Sequence, residues 1–261
     1  MASTMNSALV LMPPIPLASL INNSVRLWKL GGKTLFGKLI CDTVLRVKNV
    51  RGVRCGCSSA SFDREGKYIV HGTVEGGVVL HKVGDFQNRP LASVHGAHLG
   101  KVVSVAFSNG NDRVATRGED GTVKIFDFRK LKAATGRGLE AVADFKGLET
   151  GYDVSNLCFS PDDKMVCVGT CVRPGSDEES FLKFLGVSGG EVASAVIKKG
   201  VSAVCVAWPA KLNQIVVGLS NGDLKIFYDP SVSTKGALLC AKRKARKVRV
   251  AGSTDISIHK I

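Results

Sequence analysis

One pattern returns about every 45–50 residues along this chain, and no other feature limits its possible folds so tightly. An apolar strand ends on an aromatic and a turn. A second strand follows across a bend rich in Lys, Asp and Asn, and a third follows a turn marked by Gly or Ser. The first strands read Ser59-Ala60-Ser61-Phe62-Asp63, Ser104-Val105-Ala106-Phe107-Ser108, Asn156-Leu157-Cys158-Phe159-Ser160 and Cys205-Val206-Ala207-Trp208-Pro209. Their third strands read Val78-Val79-Leu80-His81, Val123-Lys124-Ile125-Phe126-Asp127, Phe181-Leu182-Lys183-Phe184 and Leu224-Lys225-Ile226-Phe227. A half copy precedes them, at Leu17-Ala18-Ser19 and Ser24-Val25-Arg26-Leu27-Trp28. Short alternating strands repeated at this length predict an all-β chain made of β-propeller blades.

Each blade buries apolar surface on its neighbours, and a chain that is 44% hydrophobic can supply that core. Its 29 glycines suit the many tight turns between strands. A seven-bladed ring at roughly 40–45 residues per blade needs about 280–315 residues. With 261, the expectation is a partial propeller of about four and a half blades. The half blade is expected over about 17–39, and full blades over 52–94, 98–145, 152–196 and 201–241. Residues 1–16 read as an irregular segment, 17–241 as the blades and 242–261 as a basic tail that lacks blade patterning.

Formal net charge is +14. The run Lys242, Arg243, Lys244, Arg246, Lys247 and Arg249 holds six of the bases and no acid. It suits nuclear import, weak contact with RNA or DNA, or an acidic partner, and equally a solvated tail. The eight cysteines lack paired CxxC spacing and read mostly as buried, reduced thiols in strands, with Cys55 and Cys57 on one strand face. The apolar stretch Ala8–Leu20 is short and interrupted by Pro13, Pro14 and Pro16, so no membrane contact is expected. Motifs of hydrolases, metalloproteases and nucleotide-binding loops are absent. The reading is non-enzymatic, with no catalytic residue, cofactor, metal or small-molecule substrate; His95 and His98 would need a third ligand to hold a metal.

The copy over 98–145 is the best preserved. Ala97-His98 stands where a WD repeat has Gly-His, and Glu119-Asp120-Gly121-Thr122 makes its tight turn. His98, Thr116 and Asp120 are candidates for a buried hydrogen-bonded chain that stabilises the blade. Phe126 takes the place of the usual Trp, so that chain would end at the threonine. The next copy carries a longer, acidic hairpin over 171–180, which is either a contact loop or a tolerated insertion.

Two further blocks narrow the reading. One is Cys158-Phe159-Ser160-Pro161-Asp162-Asp163-Lys164 with Val168-Gly169-Thr170. The sharper is Lys211-Leu212-Asn213-Gln214-Ile215-Val216-Val217-Gly218, running through Asn221-Gly222 to Tyr228-Asp229-Pro230 and on to Lys235-Gly236-Ala237. In this order they resemble the C-terminal part of the WD repeat-containing protein 70 family, also called the gastrulation-defective homologue family. The resemblance implies a nuclear WD-repeat scaffold linked to cullin-4-type ubiquitin ligases, chromatin and the DNA-damage response. It also brings Phe126-Asp127-Phe128-Arg129 into view, because cullin-4 receptors often end a blade with Trp-Asp-x-Arg. On a strand, Asp127 and Arg129 would share a face. They are then either a contact for the ligase adaptor or an ordinary exposed ion pair. Two other readings stay open: an RNA- or DNA-associated component of a nuclear complex such as the spliceosome, and a truncated product without independent function.

Overall fold

The structure, a computed structural model, describes residues 17–21, 24–30, 39–85, 87–136, 138–237, 239 and 256–260. The chain divides into two compact units, Met1–Glu149 and Thr150–Ile261.

In the first unit, β1 (Leu17–Ile21), β2 (Ser24–Leu30) and β3 (Leu39–Leu45) pair antiparallel as blade 1. The opening copy is thus a three-stranded sheet reaching Leu45, where the pattern predicted half a blade ending near residue 39. A short hairpin follows, of β4 (Val47–Lys48) and β5 (Arg54–Cys55). Blade 2 is the antiparallel series β6 (Cys57–Phe62), β7 (Tyr68–Thr73), β8 (Val78–Lys82) and β9 (Pro90–Val94). Gly56 separates β5 from β6, so Cys55 and Cys57 lie in different sheets instead of on one strand face.

Blade 3 contains β10 (Val102–Phe107), β11 (Arg113–Gly118) and β12 (Val123–Asp127). The chain then makes the short helix α1 (Phe128–Ala133) and leaves the blade. Its next segment, β13 (Thr135–Gly136), pairs parallel with β9 on the outer edge of blade 2. There the His95 N–H donates to the Gly136 carbonyl at 3.0 Å. The chain returns as β14 (Ala143–Phe145), the fourth strand of blade 3. Blade 2 therefore has its outer edge partly covered by a connection of blade 3.

The second unit holds two four-stranded sheets. Blade 4 is β15 (Leu157–Phe159), β16 (Met165–Gly169), β17 (Glu179–Gly186) and β18 (Glu191–Lys199), all antiparallel. Blade 5 is β19 (Ala203–Ala207), β20 (Gln214–Leu219), β21 (Leu224–Tyr228) and β22 (Ile256–Lys260). The last strand corrects the reading of 242–261 as a tail without blade structure, because Ile256–Lys260 completes blade 5. It pairs parallel with β21, from Leu224↔Ile256 to Tyr228↔Lys260.

Burial follows the blade-on-blade plan. Val25, Leu27, Leu45 and Val47 pack on Cys57, Phe62, Ile69 and Val79. Val70, Val78, Leu80 and Val94 of blade 2 pack on Val102, Val105, Val114 and Phe126 of blade 3. In the second unit, Cys167, Leu182 and Ile197 meet Ala203, Val206, Ile215 and Val217. At each of the last two seams a glycine ends, or nearly ends, the second strand. A Cβ on Gly72 would lie 2.5 Å from the Val102 Cβ, and one on Gly169 would strike the Ala203 carbonyl oxygen. No side chain fits between strands that approach so closely.

Among the described residues all cysteines are free. Cys55, Cys57 and Cys167 are buried, and burial pushes the Cys57 thiol up to about 12, with Cys55 adding to it. Cys41, Cys158 and Cys171 are half-buried and Cys205 is exposed, so the expectation of mostly buried thiols holds for fewer than half of those described. Cys205 faces outward because its strand alternates, with Val204 and Val206 buried on either side.

Candidate interaction site

The turn between β11 and β12 and the loop before β10 meet over a buried imidazole. His98 is 2% exposed. Its Nδ1 lies 2.7 Å from the Thr122 hydroxyl and 3.3 Å from Asp120 Oδ1, and its Nε2 lies 2.7 Å from the Thr116 hydroxyl. Thr122 donates its hydroxyl to Asp120 Oδ1 at 2.7 Å, and the Leu99 N–H donates to Oδ2 at 2.8 Å. A consistent assignment has the Nδ1–H donating to Thr122 while Nε2 accepts from Thr116, which satisfies a neutral ring on both sides. Burial lowers the His98 pKa, against the opposing pull of Asp120. Burial raises that of Asp120, but the Leu99 N–H and the Thr122 hydroxyl more than offset it, leaving the carboxyl below its ordinary range.

The three predicted network residues therefore do meet, and Thr122 joins them. Its place in the Asp120-Gly121-Thr122 turn, directly across from the histidine, was the signal available in the sequence. The network also fixes the loop outside it: the His98 N–H donates to the Gly76 carbonyl of blade 2 at 3.0 Å. Phe126, in the tryptophan position, is buried in the core.

The Asp127–Arg129 pair is arranged differently from the strand pair that was predicted. β12 ends at Asp127 and α1 begins at Phe128, so the alternation that would set both on one strand face stops there. Asp127 is the helix N-cap: its Oδ1 accepts the N–H groups of Arg129 at 2.8 Å and Lys130 at 3.1 Å. Those bonds, that of Lys130 foremost, hold the carboxyl below its usual range. The helix is anchored by Phe128 and Leu131, with Phe128 edge-on to Tyr68 and Phe107. Arg129 is left exposed on the outer turn and forms no ion pair among the described residues.

Comparison with known proteins agrees with this architecture. The family model "WD domain, G-beta repeat" matches residues 89–127, which run from β9 through the His98 network to the end of β12. WD repeat-containing protein 70 of Xenopus laevis is 34% identical over 212 residues, covering 80% of this chain and 32% of that protein. The chain is a WD-repeat homologue of WD repeat-containing protein 70. Gastrulation defective protein 1 homolog of Drosophila melanogaster is 29% identical over 78% of this chain and 30% of its own length. The chain thus spans about a third of the curated relatives it matches. Among solved structures, the β-propeller domain of Cps50 (Swd1) from Myceliophteria thermophila superposes with a TM-score of 0.61 at 12% identity, over 79% of this chain and 64% of that one. The C-terminal WD40 domain of Sif2 gives 0.59 at 15% identity, over 83% and 55%. These two show the fold: WD-repeat propeller blades. Domains of this kind generally serve as non-enzymatic scaffolds for protein–protein contact.

Lys242, Arg243, Lys244, Arg246, Lys247 and Arg249 lie outside the described residues. His95 and His98 do not converge: His95 Nε2 is 3.3 Å from the Ser93 hydroxyl, while His98 is held in its network. No group of three or more potential metal ligands occurs among the described residues. The loop over 171–180 is pinned at its base, where Val172 and Ser202 exchange bonds of 3.0 Å and the Gly175 N–H reaches the Gly200 carbonyl. Its acids Asp177, Glu178 and Glu179 stand exposed.

Two features escaped the sequence reading. His71 and His81 stack with centroids 4.9 Å apart and share an Nε2···Nδ1 contact of 2.9 Å. Their outer nitrogens, His71 Nδ1 and His81 Nε2, are buried without a hydrogen-bond partner. Burial lowers both pKa values, that of His81 to about 4. The second feature is a basic cluster on the β4–β5 hairpin.

Proposed function

We propose that this chain is a nuclear, non-catalytic WD-repeat scaffold that docks the adaptor of a cullin-4-type ubiquitin ligase through Arg129, in a chromatin or DNA-damage setting. The observation that carries the reading is the division of labour at the end of β12. Asp127 is committed to capping α1, and the guanidinium two residues on forms no ion pair among the described residues and lies exposed on an anchored helix. An arginine so placed offers a forked, charge-assisted contact to a carboxylate or carbonyl. The nuclear assignment rests on the basic run over 242–249 and the net charge of +14.

Titration of the purified chain against the purified adaptor tests this. Binding is expected, with Arg129→Ala weakening it about tenfold or more and leaving the unfolding transition unchanged. An affinity unaffected by Arg129→Ala, or no binding at all, overturns the ligase reading.

A further inference from the structure

The hairpin β4–β5 carries charges that form no ion pair among the described residues. Lys48 and Arg54 are directly opposite each other in the antiparallel pair, and both are exposed. Like charges in that relation repel across a Cβ separation of roughly 5 Å. Arg46 and Arg51 flank them, also exposed, and none of the four forms an ion pair among the described residues. Glu75, the acid among the described residues lining the cavity beside the hairpin, accepts from the Asn49 amide at 3.2 and 3.3 Å. Four bases held together with no ion pair among the described residues make a surface suited to an anion from outside.

The same surface is apolar as well as basic. Val50 and Val53, at the hairpin tip, are 60% and 59% exposed, and Val74 is 43% exposed. Leu99 is 97% exposed on the neighbouring loop. These loops are stitched together: the Val74 N–H donates to the Gly56 carbonyl at 2.9 Å, and the His98 N–H to that of Gly76 at 3.0 Å. The hairpin turn is itself rigid, since Asn49 Oδ1 accepts the N–H groups of both Arg51 and Val53 at 3.0 Å. Beside it opens a cavity of about 710 Å³, lined in part by Lys48, Val50, Arg51, Glu75 and His95.

We propose that this face is the docking surface for an acidic segment of a partner protein that carries aliphatic side chains. The valines and Leu99 select a peptide over a nucleic acid. A phosphate backbone has no use for them, and among the described residues lining the cavity there is no Phe, Tyr or Trp to stack a base, the His95 ring lying 3.3 Å from the Ser93 hydroxyl. Carboxylates on the ligand would settle between Lys48, Arg51 and Arg54, and its aliphatic groups would cover the valines. The proposal rests on the scaffold reading and adds a second contact surface, separate from Arg129, with a stated partner chemistry.

Selection of random twelve-residue peptides by display on the whole chain tests it, followed by fluorescence anisotropy of the selected sequences. Enriched peptides should combine Asp or Glu with Leu, Ile or Val. Their affinity should fall at least tenfold in Lys48→Ser/Arg54→Ser and several-fold in Val50→Ser/Val53→Ser. Thermal stability of the first variant should be equal or higher, because a repulsive pair has been removed. Selected peptides without acids, or affinities within twofold in the first variant, overturn the proposal. So does tighter binding of a 20-nucleotide single-stranded RNA or DNA lost in the same variant, which would make the hairpin a nucleic-acid contact. Adaptor binding measured on Lys48→Ser/Arg54→Ser separates the two readings: adaptor bound normally with peptides lost upholds both, whereas peptides bound normally with no adaptor binding in the unmodified chain sinks only the ligase assignment.

Discussion

Between blades 2 and 3, Ser58 and Ser59 both donate their hydroxyls to the Val102 carbonyl, at 2.7 and 3.0 Å. Between blades 4 and 5 the described residues show no pair of serines on one strand carbonyl. Asn156 instead donates to the Val206 carbonyl at 2.9 Å and accepts the Val206 N–H at 2.6 Å. The apolar filling at the two seams is alike, and so is the glycine on the second strand, Gly72 in one and Gly169 in the other. What repeats is the distance of approach. What varies is the polar clamp that satisfies backbone groups there. Blade packing thus imposes a steric requirement on every seam but leaves the hydrogen-bonding chemistry open, as long as no buried group is left unmet.

The largest effect should come from filling the approach. At Gly169 the obstacle is the Ala203 carbonyl, which belongs to a paired strand; at Gly72 it is the Val102 side chain and the Ser59 hydroxyl. Gly169→Ala should therefore cost about 3 kcal/mol and Gly72→Ala about 2 kcal/mol, read by urea unfolding. Losses below about 0.5 kcal/mol in both would break the idea that approach distance is the shared constraint.

Acid should separate the units next. In the first unit His71, His81 and His98 are buried and their pKa values lowered, foremost by burial. The unfolded chain then takes up protons first as pH falls below 6.5, so stability is complete above that value and is lost toward pH 4 and below. His81 alone, lowered from 6.5 to about 4, should remove about 2 kcal/mol by pH 5. Hydrogen exchange at pH 7 and pH 5 is expected to show β7 and β8 losing protection while β16 and β17 change less. Equal loss in both units would assign acid sensitivity elsewhere.

The smallest effect distinguishes the clamps. Asn156→Ala strips two bonds and leaves the Val206 N–H without its acceptor, at a cost of about 2 kcal/mol. Ser59→Ala leaves Ser58 still donating to Val102, so about 0.5 kcal/mol is expected. Chemical denaturation of the two variants checks the ratio, and an equal cost would mean that the clamps are interchangeable.

Much of the fold was readable from residue order because its signals are local. The strands over 78–82, 123–127, 179–186 and 224–228 were found from alternation and turn residues. The His98–Asp120–Thr116 chain was legible because Ala97-His98 and the Asp120 turn stand where a WD repeat has them. The Asp127–Arg129 geometry was misread because an Asp that can cap a helix looks the same as one that ends a strand. The hairpin over 46–54 lies mostly between the expected half blade and the first full blade, where the repeat pattern gives no signal.

Periodicity and turn chemistry therefore specify which segments become strands and that successive sheets stack, since both depend on neighbours a few residues apart. They carry no information about pairing across long intervals. That Ile256–Lys260 joins β21 and that Thr135–Gly136 partly covers the edge of blade 2 both follow from distant segments brought together in space, and that Lys48 faces Arg54 follows from the register of a hairpin. Only the folded chain shows whether a charge or a strand edge has found its partner, because its energy depends on what lies beside it in three dimensions.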